Sequence, residues 1–332
     1  METKTEKIAG SPPRLIPSLV AGFNAVANNI QLIIPPILLD LLIWFGPHLS
    51  LRELLEPIVM NLGDSLLSVG AQDMDELLLA GKDVWLEIIK QINLSTALRT
   101  LPVGIPSLMT GQGTLETPLG SPLFFEMPSP LAIVVVWIAI YIIGLAGGSL
   151  FYSEIARRSC NLEQPFSFKL LVIHFSRTLL LTLVSIILLI AITIPITIVI
   201  SITSMINPLL TQIAIIFISL LIIWARLPLI FSPHGIFAYQ YNILTSMLSS
   251  IRLVRYFLPG TGIFILIAVL ISQGLDILWK FPPETSWMTL IGIFGHAFVT
   301  TSLVASSFIY YRGGVSWMQE NLKNISRQTS QT

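Results

Sequence analysis

Long runs of apolar residues alternate along this chain with shorter two-sided stretches, and that alternation predicts most of its elements. Six runs, at about 28–46, 130–151, 178–205, 208–231, 260–281 and 288–310, come near the ~20 residues a helix needs to cross a bilayer core. Residues 15–29, 163–177 and 236–256 are instead amphipathic and each precede a run. In the last of these, Ile236, Phe237, Tyr241, Leu244, Met247, Leu248, Ile251 and Val254 fall within an arc of about 140° at 100° per residue. Asn242, Thr245, Ser246, Ser249, Ser250 and Arg252 occupy the other side. This pattern predicts an interfacial helix with its apolar face toward the bundle and its small polar face toward headgroups. The fold expected is all-α: a polytopic six-helix transmembrane bundle with cytoplasmic interfacial amphipathic helices and one extracytoplasmic helical and loop insertion.

The insertion is residues 47–129. Ser50 and Glu53 have capping-box spacing, and Leu51, Leu54, Leu55, Ile58 and Val59 follow at helical intervals, with Pro57 expected to kink or limit the helix. Acidic Asp73, Asp75 and Glu76 then precede the apolar positions Leu77, Leu78, Val84, Trp85, Ile88, Ile89 and Ile92 of a second helix. From Pro102 to Pro130 the chain holds six prolines and four glycines among Leu, Met and Phe, with only Glu116 and Glu126 charged. Solvated linkers are polar, so a loop of this kind over 102–129 is expected to pack down as a lid on the mouth of the bundle.

Composition narrows the class. Of 332 residues, 54% are hydrophobic and 11% charged, and mean hydropathy is +0.81, well outside the range of soluble proteins, in which about 25% of residues are charged. Formal net charge is zero and no basic run supplies a phosphate-binding patch, which argues against nucleic acid. The expected partners are the lipid bilayer and another membrane protein. Thirteen of the eighteen Lys and Arg fall in segments that are cytoplasmic if the N-terminus is inside. Arg52, Lys82, Lys90, Arg99 and Lys280 are the other five. The positive-inside rule therefore places a multi-pass chain in the cell membrane with both termini, 1–27 and 311–332, in the cytoplasm. Arg226, Arg252 and Arg255 mark the inner interface, and the lone Cys160 forms no intrachain disulfide.

Polar residues inside the runs are the candidate chemistry. Pro35-Pro36 is expected to kink the first span, and Asp40 follows one turn later. At ~1.5 Å per residue, Asp40, Asp276 and His296 lie at similar depth and can form an intramembrane polar cluster able to pass a proton or hold a cation. Gly144 and Gly148 have the spacing for close helix approach. Thr193, Thr197 and Ser201 in the third span, Gln212 and Ser219 in the fourth, and Thr289 and Thr300 in the sixth lie on polar faces that would line a path if the three faces meet. The chain has no Walker loop, no His-Glu-x-x-His and no Gly-x-Ser-x-Gly, and offers no cofactor or metal motif.

Residues 130–205 and 208–281 repeat one plan of span, cytoplasmic surface helix, span. The segment Ser250-Ile251-Arg252-Leu253-Val254-Arg255, followed by an apolar span, resembles the membrane domain attached to some glycerophosphodiester phosphodiesterases and found in a wide set of uncharacterised bacterial membrane proteins. The resemblance covers about residues 130–320. It implies a fold and a bacterial inner membrane but no activity, since no phosphodiesterase domain is present. Three functions stay open: a non-enzymatic scaffold or assembly protein, a transporter or channel subunit, and an intramembrane enzyme acting on lipid.

Overall fold

The structure, a computed structural model, describes residues 12–69, 75–111, 113, 116–163 and 167–329. Asp73, used in the sequence reading, lies outside these residues, as do the side chains of Asp75, Glu76, Leu77 and Leu78. Five helical stretches are long and apolar enough to cross a membrane: Pro130–Ser159, Phe168–Ile206, Leu209–Tyr239, Leu258–Trp279 and Thr289–Asn324. A sixth span exists if Leu15–Ala27 and Ile30–Phe45, bent by 93° at the break between them, are counted as one.

That first span departs from expectation. Helix α1 (Leu15–Ala27) stops at Asn28-Asn29, a single 3-10 turn follows over Ile30–Ile33, and α2 (Ile34–Phe45) starts there. The two prolines do not kink a continuous helix. They occupy the first turn of α2, where the missing N–H groups would have no helical acceptor anyway. Helix α2, at 12 residues, reaches only about 18 Å and does not cross a bilayer by itself. Helix α1 buries a small face of Ser18, Gly22 and Val26. A Cβ on Gly22 would collide with the backbone of Ser306, and the Ser306 hydroxyl donates to the Leu19 carbonyl at 3.2 Å.

The insertion is closed at its neck by a short parallel pair, β1 (His48–Ser50) and β2 (Phe124–Glu126), a strand element absent from the all-α reading. Between them run α3 (Arg52–Val69) and α4 (Asp75–Gln91). Pro57 does not end α3, which continues through it. The expected capping box is rearranged: the Ser50 hydroxyl accepts from the Arg52 N–H at 3.1 Å, while the Glu53 N–H is met by the Glu126 carboxylate at 3.3 Å.

Helix α5 (Pro130–Ser159) opens on a Ser129 cap and α7 (Pro208–Arg226) on an Asn207 cap, each followed by proline at the first helical position. Helix α6 (Phe168–Ile206) is continuous, so the surface helix expected over 163–177 is simply its first part. At 39 residues α6 is about 58 Å long, roughly twice a bilayer core. Its first half packs on α5, where Thr178, Leu181 and Thr182 are buried. None of its buried residues lies in the second half, and Asn207 alone separates its end from α7.

The helix expected over 236–256 is broken in two. Helix α8 (Ser232–Tyr239) ends at Gln240, whose φ of 54° is left-handed, and α9 (Ile243–Tyr256) restarts on an Asn242 cap. The inward face of α9 also differs from its apolar arc, since it combines Leu253 and Val254 with two serines. Ser246 and Ser250 are fully buried, whereas Leu244 and Leu248 face outward. The reason is hydrogen bonding: Ser246 donates to the Ser232 carbonyl at 2.5 Å, and Ser250 donates to the Pro228 carbonyl at 2.7 Å while accepting from the Phe231 N–H at 3.1 Å. The serines satisfy the irregular backbone before α8, and lipid-compatible leucines take the outside.

Helix α10 (Leu258–Trp279) is followed by α11 (Thr289–Thr329), which at 41 residues runs through Gly313-Gly314 where a tail was expected. Over its most apolar stretch 61% of α11 is buried, against 0% for α6, so α11 is the central column and α6 a peripheral one. The main core joins α2, α5, α8 and α11 through Trp44, Ile155, Ile236, Phe237, Ala305 and Phe308.

Candidate functional site

A largely irregular segment, residues 99–111, ending in a single 3-10 turn at Met109–Gly111, lies against the middle of α5. Gly144 meets the backbone of Leu98, and Gly148 meets the backbone of Val103 and Gly104. These glycines were expected to bring two helices together. They admit an irregular loop instead, because only a residue without Cβ lets a carbonyl lie against the helix barrel. Val103, Ser107, Leu108 and Met109 are all buried, so the segment is a wedge within the bundle and not a lid over it. From α5 the Tyr141 hydroxyl donates to the Leu101 carbonyl at 2.8 Å, and within the segment Arg99 reaches the Ser107 carbonyl at 3.4 Å and the Thr110 hydroxyl at 3.0 Å.

Asp40 on α2 is the anchor of this wedge. Its carboxylate accepts from the Ser107 hydroxyl at 2.5 Å and from the N–H groups of Met109 at 3.0 Å and Leu108 at 3.2 Å. Irregular backbone at membrane depth is tolerated where protein groups satisfy it, and Asp40 does this for the wedge tip. Sequence reasoning singled out Asp40 by its residue type but missed Ser107, whose partner is 67 residues distant.

Asp276 and His296 come together directly, Oδ1 to Nδ1 at 2.8 Å, linking α10 to α11. The His296 side chain is buried, Asp276 is partly exposed, and the remaining His296 nitrogen, Nε2, has no partner among the described residues. Asp40 lies within electrostatic range of His296 without a hydrogen bond between them. The three residues are therefore neighbours, arranged as one pair and one separately engaged carboxylate. Among the described residues no group of three or more His, Cys, Asp or Glu is placed to hold a metal ion.

The expected path does not form. Thr193, Thr197, Ser201, Gln212 and Ser219 are exposed on α6 and α7, far from Thr289 and Thr300, which are buried on α11. Thr197, Ser201 and Ser219 each donate to the carbonyl four residues back on their own helix. The wheel placed these residues correctly on one face of each helix, but a wheel carries no information on which face meets the bundle.

Arg226, Arg252 and Arg255 are exposed. Other arginines act as staples near the same helix ends: Arg177 donates to the Gln240 carbonyl at 2.6 Å, Arg158 to the Asn29 side chain at 2.9 Å, and Arg312 to the Cys160 carbonyl. His174 and His234 are buried, and each has a serine partner, Ser153 at 2.8 Å and Ser307 at 2.6 Å. In the insertion, burial pushes the His48 imidazole below its ordinary range, opposed by the Ile92 carbonyl and the charge of Glu126.

Protein-family models, curated proteins and solved structures were all compared with the chain. None matches it. The site must be interpreted from its own chemistry.

Proposed function

We propose that the chain is a six-span protein of a bacterial inner membrane, with both termini cytoplasmic, that acts as a non-enzymatic scaffold or assembly protein and receives another membrane protein along the α6–α7 hairpin. The observation that carries this reading is the outward polar stripe of that hairpin. Lipid covers its apolar side chains well, but it gives nothing to the Gln212 amide, which has no partner among the described residues. Thr193, Thr197, Ser201 and Ser219 add small hydroxyl-bearing positions, the residue types that let a second helix approach closely. The distribution of Lys and Arg supports the orientation, and the resemblance to the phosphodiesterase-associated membrane domain supports a helical membrane module without a catalytic one. A transport path would need the stripes to face α11, which is why the scaffold is preferred.

A photo-crosslinking amino acid placed at Thr197, Ser219 or, as control, Leu266 on α10 tests this in cells. Thr197 and Ser219 are expected to yield adducts with one and the same membrane protein, Leu266 only lipid adducts, and Gln212→Leu a severalfold lower protein yield. Lipid adducts alone at all three positions would overturn the reading.

A further inference from the structure

Between α8, α10 and α11, and lined also by Tyr152 of α5 and Pro102 of the wedge, lies a cavity of about 350 Å³ that includes neither Asp40 nor the α6–α7 hairpin. Its walls are mainly apolar and aromatic, with Phe231, Phe264 and Leu303 among them, and no Asp, Glu, Lys or Arg lines it. Along α10 it runs from Phe264 to Gln273, nine residues or about 14 Å. A methylene takes up nearly the volume of one water in the liquid, about 30 Å³, so the space holds roughly a dozen carbons in a row. Small-molecule sites have this character, an apolar slot with a few placed polar groups.

The polar groups sit at the two ends. At one end His234 is already engaged with Ser307 at 2.6 Å. At the other, Ser272 and Gln273 have no partner among the described residues, and Gln273 is exposed. Gln273 is flanked on α10 by outward-facing Leu270 and Ile277, an apolar surface that suits the bilayer interior. An amide and a hydroxyl left unpaired there carry both donors and acceptors and no charge.

We infer that this cavity binds an uncharged single-chain lipid bearing a hydroxyl headgroup. The hydroxyl pairs with Gln273 and Ser272, donating and accepting, and the chain lies along Phe264 and Phe231 toward His234. A carboxylate or phosphate headgroup has no cation to meet, and a plain alkane leaves the Gln273 amide unpaired.

Protein reconstituted in nanodiscs and irradiated with a diazirine-bearing long-chain primary alcohol tests the inference, with dodecanol, dodecane and laurate as competitors. Label is expected on peptides of α10 and α11 facing the cavity, displaced by dodecanol about tenfold more effectively than by dodecane or laurate. Gln273→Leu, at an exposed position, should remove that advantage, and Ala268→Phe, which fills the slot, should remove the label. Should Ala268→Phe aggregate, Gln273→Leu alone decides. Equal displacement by all three competitors, an unchanged dodecanol preference in Gln273→Leu, or label spread over outward residues such as Leu266 and Leu270 would overturn the inference.

Discussion

Three donors on one carboxylate leave Asp40 with a structural task that its replacements separate cleanly. Asp40→Leu strips the acceptor from the Leu108 and Met109 N–H groups and from the Ser107 hydroxyl, which stay buried. The expected loss is about 3 to 9 kcal/mol, because each of the three orphaned buried donors costs about 1 to 3. Asp40→Asn retains one oxygen and should lose less than half as much. Thermal unfolding in detergent, with proteolysis of residues 99–111 as the local readout, checks the order. Equal effects of the two variants would show that the carboxylate is not the anchor. Asp40 was legible as an unusual residue at depth, yet its partners were not, since nothing local to residues 107–109 announces a contact 67 to 69 positions away. The Asp276–His296 pair was more legible, because both residues lie a few turns from one short connection.

At the level of elements, helix content was readable from hydropathy and helix surroundings were not. Runs of apolar residues located α5, α6, α7, α10 and α11 to within a few residues at most ends. Which face of each turned inward depended on irregular backbone elsewhere. Helix α9 points serines inward because the turn before α8 needs acceptors and donors, and α5 shows glycines to the wedge because a loop, and not a helix, lies against it. The glycines give a sharp test. A Cβ at Gly148 meets backbone of the wedge and one at Gly144 meets the backbone of Leu98, the residue just before it, whereas at Gly147 it meets only the flexible end of Ile105 at 3.3 Å. Gly144→Ala and Gly148→Ala should each destabilise by about 1 to 3 kcal/mol and open the wedge to protease, with Gly147→Ala near neutral. Three indistinguishable variants would remove the wedge from this account.

For the molecule as a whole, α11 is a column wrapped by α1, α2, α5, α8, α9 and α10, with the α6–α7 hairpin standing outside. Sequence patterning gave no hint of this inequality among spans, because α6 and α11 are both long apolar helices and differ in what surrounds them. The proposed orientation rests on charge and is checked with single cysteines in a Cys160→Ala background. A membrane-impermeant thiol reagent should label Leu119→Cys, in the insertion, from outside intact cells and Arg255→Cys only in inverted vesicles; the opposite pattern reverses the topology. The wedge also has a consequence in time. A ribosome making about 5 to 20 residues per second delivers Ser107 roughly 3 to 13 seconds after Asp40, and the glycines of α5 later still. Through that interval α2 is a short half-span bearing a carboxylate whose donors have not been synthesised. Its final seating therefore waits on a segment that must return to the membrane after α5 has been made, so biogenesis of this chain proceeds out of sequence order, with its second helix among the last parts to be locked.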